Sequence, residues 1–343
     1  MKERKSYLDI LNIFATLAVV ILHSTQIVFK NRFDTPWMIS SVLQSLFIWA
    51  VPVFVMISGA NLLSYRSKYS TSTFMKKRLK KVLIPFLFWS VIWYLYNAVQ
   101  FKYMPSLRGF IYSFAFNDIQ NIFWFFYVIV GLYLITPVLS VLTQEQYLSL
   151  IKYILIGYFI IVGVIYFIFP IAFKKNIPTD IYGVPLLSNA YVGYFVLGWY
   201  LENGKLSERI KNILIFIGFV VGIFATIFIS VYSVHVNYSF KFINSYTGFP
   251  VILFALSIYI GIKKLARRIT FSLKMEQFLA RISSCSLGVY VIHLFFIQLF
   301  DSAFHIASDS LVQFFIVPLV VYIISMIVIY VLKRIPGVSH IVP

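Results

Sequence analysis

The sequence predicts an all-α, polytopic membrane helical bundle of about ten transmembrane helices, and three observations carry that prediction. Hydrophobic residues make up 61% of the 343-residue chain and charged residues only 12%, against roughly 25% charge in an ordinary soluble domain. So few polar groups cannot cover a soluble globule of this size. The apolar residues fall in continuous runs rather than in alternation, which fits spanning helices and not a β-barrel. The basic residues give a net charge of +18 but sit in the gaps between runs, where they orient helices in a bilayer. A cytosolic enzyme, a nucleic-acid-binding domain and a disordered tail are thereby excluded.

A span needs about 20 mostly apolar residues. Ten candidates occur, at 7–28, 38–63, 82–100, 122–142, 150–173, 186–201, 210–232, 247–265, 282–300 and 311–332. The first has no small-residue cleavage site behind it and reads as a span, not a cleavable signal. The second ends Val51-Pro52-Val53-Phe54-Val55-Met56-Ile57-Ser58-Gly59-Ala60. Pro52 frees a carbonyl and can kink the helix, and Ser58-Gly59-Ala60 lets another backbone or a ligand approach closely. The third follows the cationic run Lys76-Lys77-Arg78-Leu79-Lys80-Lys81. The sixth is short and follows the Gly/Pro-bearing stretch Ile177 to Pro185, so a tilted or partly re-entrant segment is expected. The chain reads as a single membrane domain, 1–343, with no soluble domain, low-complexity tract or internal repeat.

Ten spans place both termini on one side. Lys and Arg divide 22 to 7 between the two sides in favour of the side holding the termini. The positive-inside rule makes that side cytoplasmic, with the loop Arg66–Lys81 inside and the loop Ser233–Tyr246 outside. The lone cysteine, Cys285, excludes an intramolecular disulfide and a Cys-based metal cluster. No HExxH motif occurs, so no metal site is expected.

Polar side chains inside spans are costly and face the bundle interior. The first span carries Asp9, Asn12, Thr16, His23 and Gln26. Asn12 and His23 differ by about 20° around the helix and by about 16 Å along it. Helix–helix hydrogen bonding accounts for Thr16 and suits Asn12, but an intramembrane His favours function. On the ninth span Ser283, Ser286, Tyr290 and His293 also share a face. Two polar stripes, each ending in a His, suggest one shared polar cavity, with a hydrogen-bonded helix pair as the plain alternative. The cationic run is by default a lipid anchor; it equally suits the phosphates of a cytosolic nucleotide-bearing donor.

Taken together, these residues resemble the acyltransferase-3 family of integral membrane O-acyltransferases. The resemblance runs through nearly the whole chain: Tyr7-Leu8-Asp9-Ile10-Leu11-Asn12 with His23, Pro52 to Gly59, and Arg78-Leu79-Lys80-Lys81 before Pro85. It continues through Phe123-Trp124-Phe125-Phe126-Tyr127, Gly131-Leu132-Tyr133-Leu134 with Pro137, and Gly193-Tyr194-Phe195-Val196-Leu197-Gly198. It ends with Ser286-Leu287-Gly288-Val289-Tyr290-Val291-Ile292-His293. The chain departs from the family pattern where Asn12 replaces an Arg, where Arg78 and Lys81 stand for an Arg-x-x-Arg pair, and where the aromatic motif lacks a leading His.

The resemblance implies a multi-pass protein of the cell membrane, here a bacterial plasma membrane, with no permanently bound cofactor. It implies acetyl-CoA or another acyl-CoA as co-substrate and a hydroxyl of a surface polysaccharide or lipid-linked sugar as acceptor. Glycan-synthesis proteins are candidate partners, and nucleic acid is not. His23 is then the general base. Asp9, about 21 Å away along the helix, cannot orient it directly, so something else must, a residue of another helix being one candidate. Ser58, Tyr127, Tyr290 and His293 are candidates for polarising the thioester carbonyl or positioning the acceptor. Asn12, Lys77, Arg78 and Lys81 form the expected donor site. A glycan or lipid-linked-sugar carrier is one rival; an inactive relative with a scaffolding role, argued from Asn12, is the other.

Overall fold

The computed structural model describes residues 5–30, 32, 34–173, 189–235 and 246–342. Their regular structure is helical: α1 (Ser6–Ser24), α2 (Thr35–Phe47), α3 (Ala50–Leu62), α4 (Thr71–Gln100), α5 (Leu107–Ala115), α6 (Trp124–Leu139) and α7 (Leu148–Tyr158). There follow α8 (Tyr166–Phe173), α9 (Ala190–Asn203), α10 (Glu208–His235), α11 (Phe249–Ala266), α12 (Leu273–Phe304) and α13 (Val317–Leu332). Helix stands on each of the ten expected segments. Among the described residues, eight helical stretches are long and apolar enough to cross a membrane. The stretch Ile177–Pro185 and most of the loop Ser233–Tyr246 lie outside the described residues.

Three features differ from the sequence expectation. The second span is two helices, broken at Ile48–Trp49, where the Trp49 indole N–H donates to the Leu46 carbonyl at 2.9 Å. Pro52 therefore sits in the first turn of α3, where its missing N–H costs little. The cationic run is not loop but the opening of α4, which is capped by Ser70 Oγ accepting the Thr73 N–H at 3.3 Å. Lys, Arg and Leu are good helix formers, so nothing in the run opposes the helix once it is capped. Finally, the short α5 lies between the third and fourth spans, where its nine residues are too few to register as a span.

α1 packs against α12, α3 and α13. α3 and α9 approach through two glycines. A Cβ on Gly59 would meet the Phe195 carbonyl oxygen at 1.8 Å, and one on Gly198 would meet the Met56 carbonyl oxygen at 2.0 Å. The Gly59 expected to admit a backbone or a ligand thus admits a backbone. At the basic end of the bundle, the Glu202 carboxylate is 3% exposed and pairs with Lys5 and Lys263, each at 2.7 Å. It also accepts from the Tyr7 hydroxyl at 2.5 Å and the Tyr259 hydroxyl at 3.0 Å. One carboxylate thereby joins α1, α9 and α11. After α13 the chain turns at Gly337, φ +85°, a conformation suited to a residue without Cβ. The C-terminal segment then lies along α4, held where the Trp89 indole N–H donates to the Ile341 carbonyl at 3.0 Å.

Candidate functional site

α1 and α12 run parallel with a nearly constant register. Ser6 Oγ donates to Glu276 Oε1 at 2.9 Å. Asn12 Nδ2 donates to the Ser283 carbonyl at 2.9 Å and to Ser283 Oγ at 3.0 Å. Further along the two helices, His293 Nε2 lies 2.8 Å from His23 Nδ1. The two polar stripes therefore meet along one seam, and Asn12 is committed to it while still lining a cavity. A parallel pair also agrees with the odd number of spans, seven, expected between the first and the ninth.

The protonation of the two imidazoles follows from their partners. His293 is fully buried. Its Nδ1 lies 2.7 Å from the Tyr290 carbonyl and 3.2 Å from the Val289 carbonyl. A carbonyl only accepts, so Nδ1 carries the hydrogen and a neutral His293 keeps its lone pair on Nε2. His23 Nδ1 must then donate to that lone pair. This leaves the His23 lone pair on Nε2, which has no hydrogen-bond partner among the described residues.

Two cavities flank this seam. One, of about 370 Å³, lies at the basic end and is lined by Asp9, Asn12, Ser58, Arg78, Lys81, Ser283, Ser286, Tyr290 and Lys333, with Phe125 and Phe126 among its apolar walls. The other, of about 450 Å³, lies toward the far end and is lined by His23, Gln26, Gln44, Asn121, Trp124, Tyr191, Tyr246, Thr247 and Tyr290. Tyr290 lines both. It is 6% exposed, its hydroxyl donates to the Ile122 carbonyl, and its ring packs 5.4 Å from that of Phe125 and 6.1 Å from that of Phe126. An aromatic partition thus separates a cationic chamber from a chamber holding the imidazole.

The cationic chamber has unmet polar capacity. Arg78 Nε and Ser286 Oγ are buried without a hydrogen-bond partner. Buried polar atoms are rarely left in that state, and a bound ligand is one way to satisfy them. Burial lowers the pKa of the Lys333 ammonium below the usual lysine range, with Cys285 opposing the shift and Lys81 reinforcing it. A cation held against other cations gains from a bound anion. In the far chamber, the Trp124 ring stacks near Tyr246 at 5.7 Å and Tyr191 at 5.6 Å between centroids. Gln26, Gln44 and Asn121 line the same chamber, with both glutamine amides donating to the Leu22 carbonyl.

Of the residues expected from the sequence, Asn12, Ser58, Arg78 and Lys81 line the basic chamber, His23 lines the far one, Tyr290 lines both, and His293 stands behind His23. Lys77 faces a neighbouring basic cavity. Tyr127 is not brought to the two chambers: its ring packs on Phe86 and Phe114, and its hydroxyl donates to the Phe114 carbonyl. Lys333 and the ring set Trp124, Tyr191 and Tyr246 were missed. Each is an ordinary span-flanking cation or aromatic in sequence, and only the fold gathers them.

These features define a multi-pass membrane protein with a polar site inside the bundle. The acyltransferase domain family matches residues 5–334, and the chain belongs to that family, the membrane acyltransferases expected from its motifs. No curated protein and no solved structure matches it.

Proposed function

We propose that the protein is a membrane O-acyltransferase that moves an acyl group from a cytosolic acyl-CoA to a hydroxyl of a surface polysaccharide or lipid-linked sugar. The observation that carries this reading is the pair of chambers that share Tyr290, one cationic and one lined by His23, whose Nδ1 is engaged by His293. Arg78, Lys81 and Lys333 suit the phosphates of the donor. The pantetheine arm then runs along the α1–α12 seam, past Ser286, and its thioester reaches His23 once the Tyr290 ring moves aside. The aromatic faces and amides of the far chamber suit a hydroxyl-rich ring, which has an apolar face and polar edges.

In the reaction the acceptor oxygen attacks the thioester carbonyl carbon, and its proton passes to His23 Nε2. The resulting imidazolium is stabilised through Nδ1–H by His293 Nε2, itself aligned by the Tyr290 and Val289 carbonyls. Collapse of the tetrahedral intermediate breaks the C–S bond, and the thiolate takes the proton back from His23. His293 is a positioning residue in this scheme: it fixes the tautomer of the base, the task that Asp9 is too distant to perform. Chemical analysis of surface glycan tests the reading. Cells carrying the protein should have an ester-linked acyl group that cells lacking it do not. Identical glycans from cells that express the protein well would contradict it.

A further inference from the structure

Beside the cationic chamber lies a second basic cavity of about 480 Å³, walled by α4 and the C-terminal segment and lined by Lys77, Lys80, Lys81, Lys333, Ser339 and His340. Helical spacing explains the division. Arg78, Lys81 and Val82 stand at i, i+3 and i+4 and face the main chamber. Lys77, Lys80, Lys81 and Ile84 stand at i, i+3, i+4 and i+7 and face the second cavity, which is the neighbouring face of the same helix. Lys81 and Lys333 line both, so the two cavities adjoin across a shared cationic wall.

The second cavity has a fixed wall. Val342 is 5% exposed, and the Ile341 carbonyl is held by Trp89 at 3.0 Å. Lys77 Nζ is steadied over the Tyr69 ring, 4.9 Å from its centroid. Among the described residues, no acidic side chain lines the cavity. By contrast, Lys5 and Lys263 share Glu202, and Arg32 sits between Asp34 and Asp309. Four lysines converging on one cavity whose described lining holds no carboxylate suit a concentrated anion.

We propose that this cavity is a subsite for the ribose 3′-phosphate of the donor, while Arg78, Lys81 and Lys333 in the main chamber face its diphosphate. The assignment rests on the acyl-CoA reading above and adds to it. A phosphomonoester carries close to two negative charges near neutral pH and three acceptor oxygens, which suits several lysines better than a single Arg fork. The diphosphate and the 3′-phosphate lie on different sides of the same ribose, as the two cavities lie on neighbouring faces of α4. The protein therefore selects donors by a group remote from the thioester.

The test compares CoA with 3′-dephospho-CoA on the full-length protein in nanodiscs of zwitterionic lipid, with affinity read by calorimetry. CoA is expected to bind about ten- to a hundredfold more tightly, the effect of one or two charge-assisted contacts. In the variant Lys77→Gln/Lys80→Gln, whose two side chains are exposed, CoA affinity is expected to fall to that of the dephospho form. Equal affinity of wild-type protein for the two ligands would overturn the subsite and leave the acyltransferase reading standing. An equal loss of both ligands in the variant would overturn it too, by showing a general field rather than a subsite. Binding of neither ligand would overturn the donor reading itself. A repeat in anionic nanodiscs separates the remaining source of phosphate. Thermal stabilisation by anionic lipid that the variant lacks, without discrimination between the two ligands, would assign the cavity to a lipid headgroup.

Discussion

His23 on α1 and His293 on α12, 270 residues apart in sequence, are joined by a 2.8 Å hydrogen bond between Nδ1 and Nε2. Because His293 Nδ1 faces only carbonyl oxygens, the bond has one direction: His23 donates. A backbone carbonyl thus sets the tautomer of one imidazole, and that imidazole sets the other. The chain of bonds ends on a lone pair at Nε2 of His23, a residue that lines the far chamber.

His293→Phe should lower kcat by about a hundredfold, the usual scale for losing a group that orients a catalytic one, with little change in acceptor KM. His293→Gln should recover part of the loss, because its amide oxygen can accept from His23 Nδ1. Activity should fall on the acid side in wild type, since a protonated His23 has no lone pair to offer, and the acid limb should move in the Phe variant. Equal activity and an unmoved pH profile in His293→Phe would show that the bond only packs the helices.

Replacing Arg78 and Lys81 together by Gln should weaken donor binding by roughly two to four orders of magnitude, from two charge-assisted contacts of about 1.5–3 kcal/mol each with allowance for non-additivity. Acceptor binding should barely change, because that chamber is lined by other residues. Kinetics against donor concentration measure the effect, and an unchanged apparent donor affinity would return these cations to lipid anchoring.

Gly59→Ala and Gly198→Ala should each destabilise the bundle by about 1–3 kcal/mol or more, the cost of overpacking, because the added methyl meets a carbonyl at 1.8 or 2.0 Å. The colliding atoms are backbone and cannot rotate away. Thermal unfolding of the purified variants checks this, and wild-type midpoints would mean that α3 and α9 do not cross here.

The 22-to-7 charge division predicts that Lys68 is cytoplasmic and Met104 external. Both side chains are exposed. On a Cys285→Ser background, Met104→Cys should react with an impermeant thiol reagent in intact cells and Lys68→Cys should not. The reverse pattern would invert the orientation.

Much of the architecture was legible because apolar runs and flanking cations are local signals. The breaks were less so: the interruption at Ile48–Trp49 lies inside an unbroken apolar run, and Pro52 pointed to it from a few residues away. Periodicity placed His23 and His293 on polar faces and predicted a shared cavity, but a face has no partner until helices are arranged, so their tautomers were not legible. Asn12 keeps both of its readings: its amide is bonded to Ser283, and it lines the basic chamber. Tyr127 lay in a motif and proved to bind Phe114. Lys333 looked like an ordinary flank at the end of a span, and only the parallel packing of α1 with α12 and the antiparallel packing of α12 with α13 bring it beside Arg78 and Lys81.

The most direct measurement is acceptor-dependent release of free CoA by purified protein, wild type against His23→Ala, with correct folding of the variant shown by its thermal midpoint. Wild-type protein should release CoA in step with acylation of the glycan. The variant, which should still bind donor, should be slower by about 10²–10⁴, the range for a general base. A folded His23→Ala protein that transfers acyl groups at the wild-type rate would contradict the account.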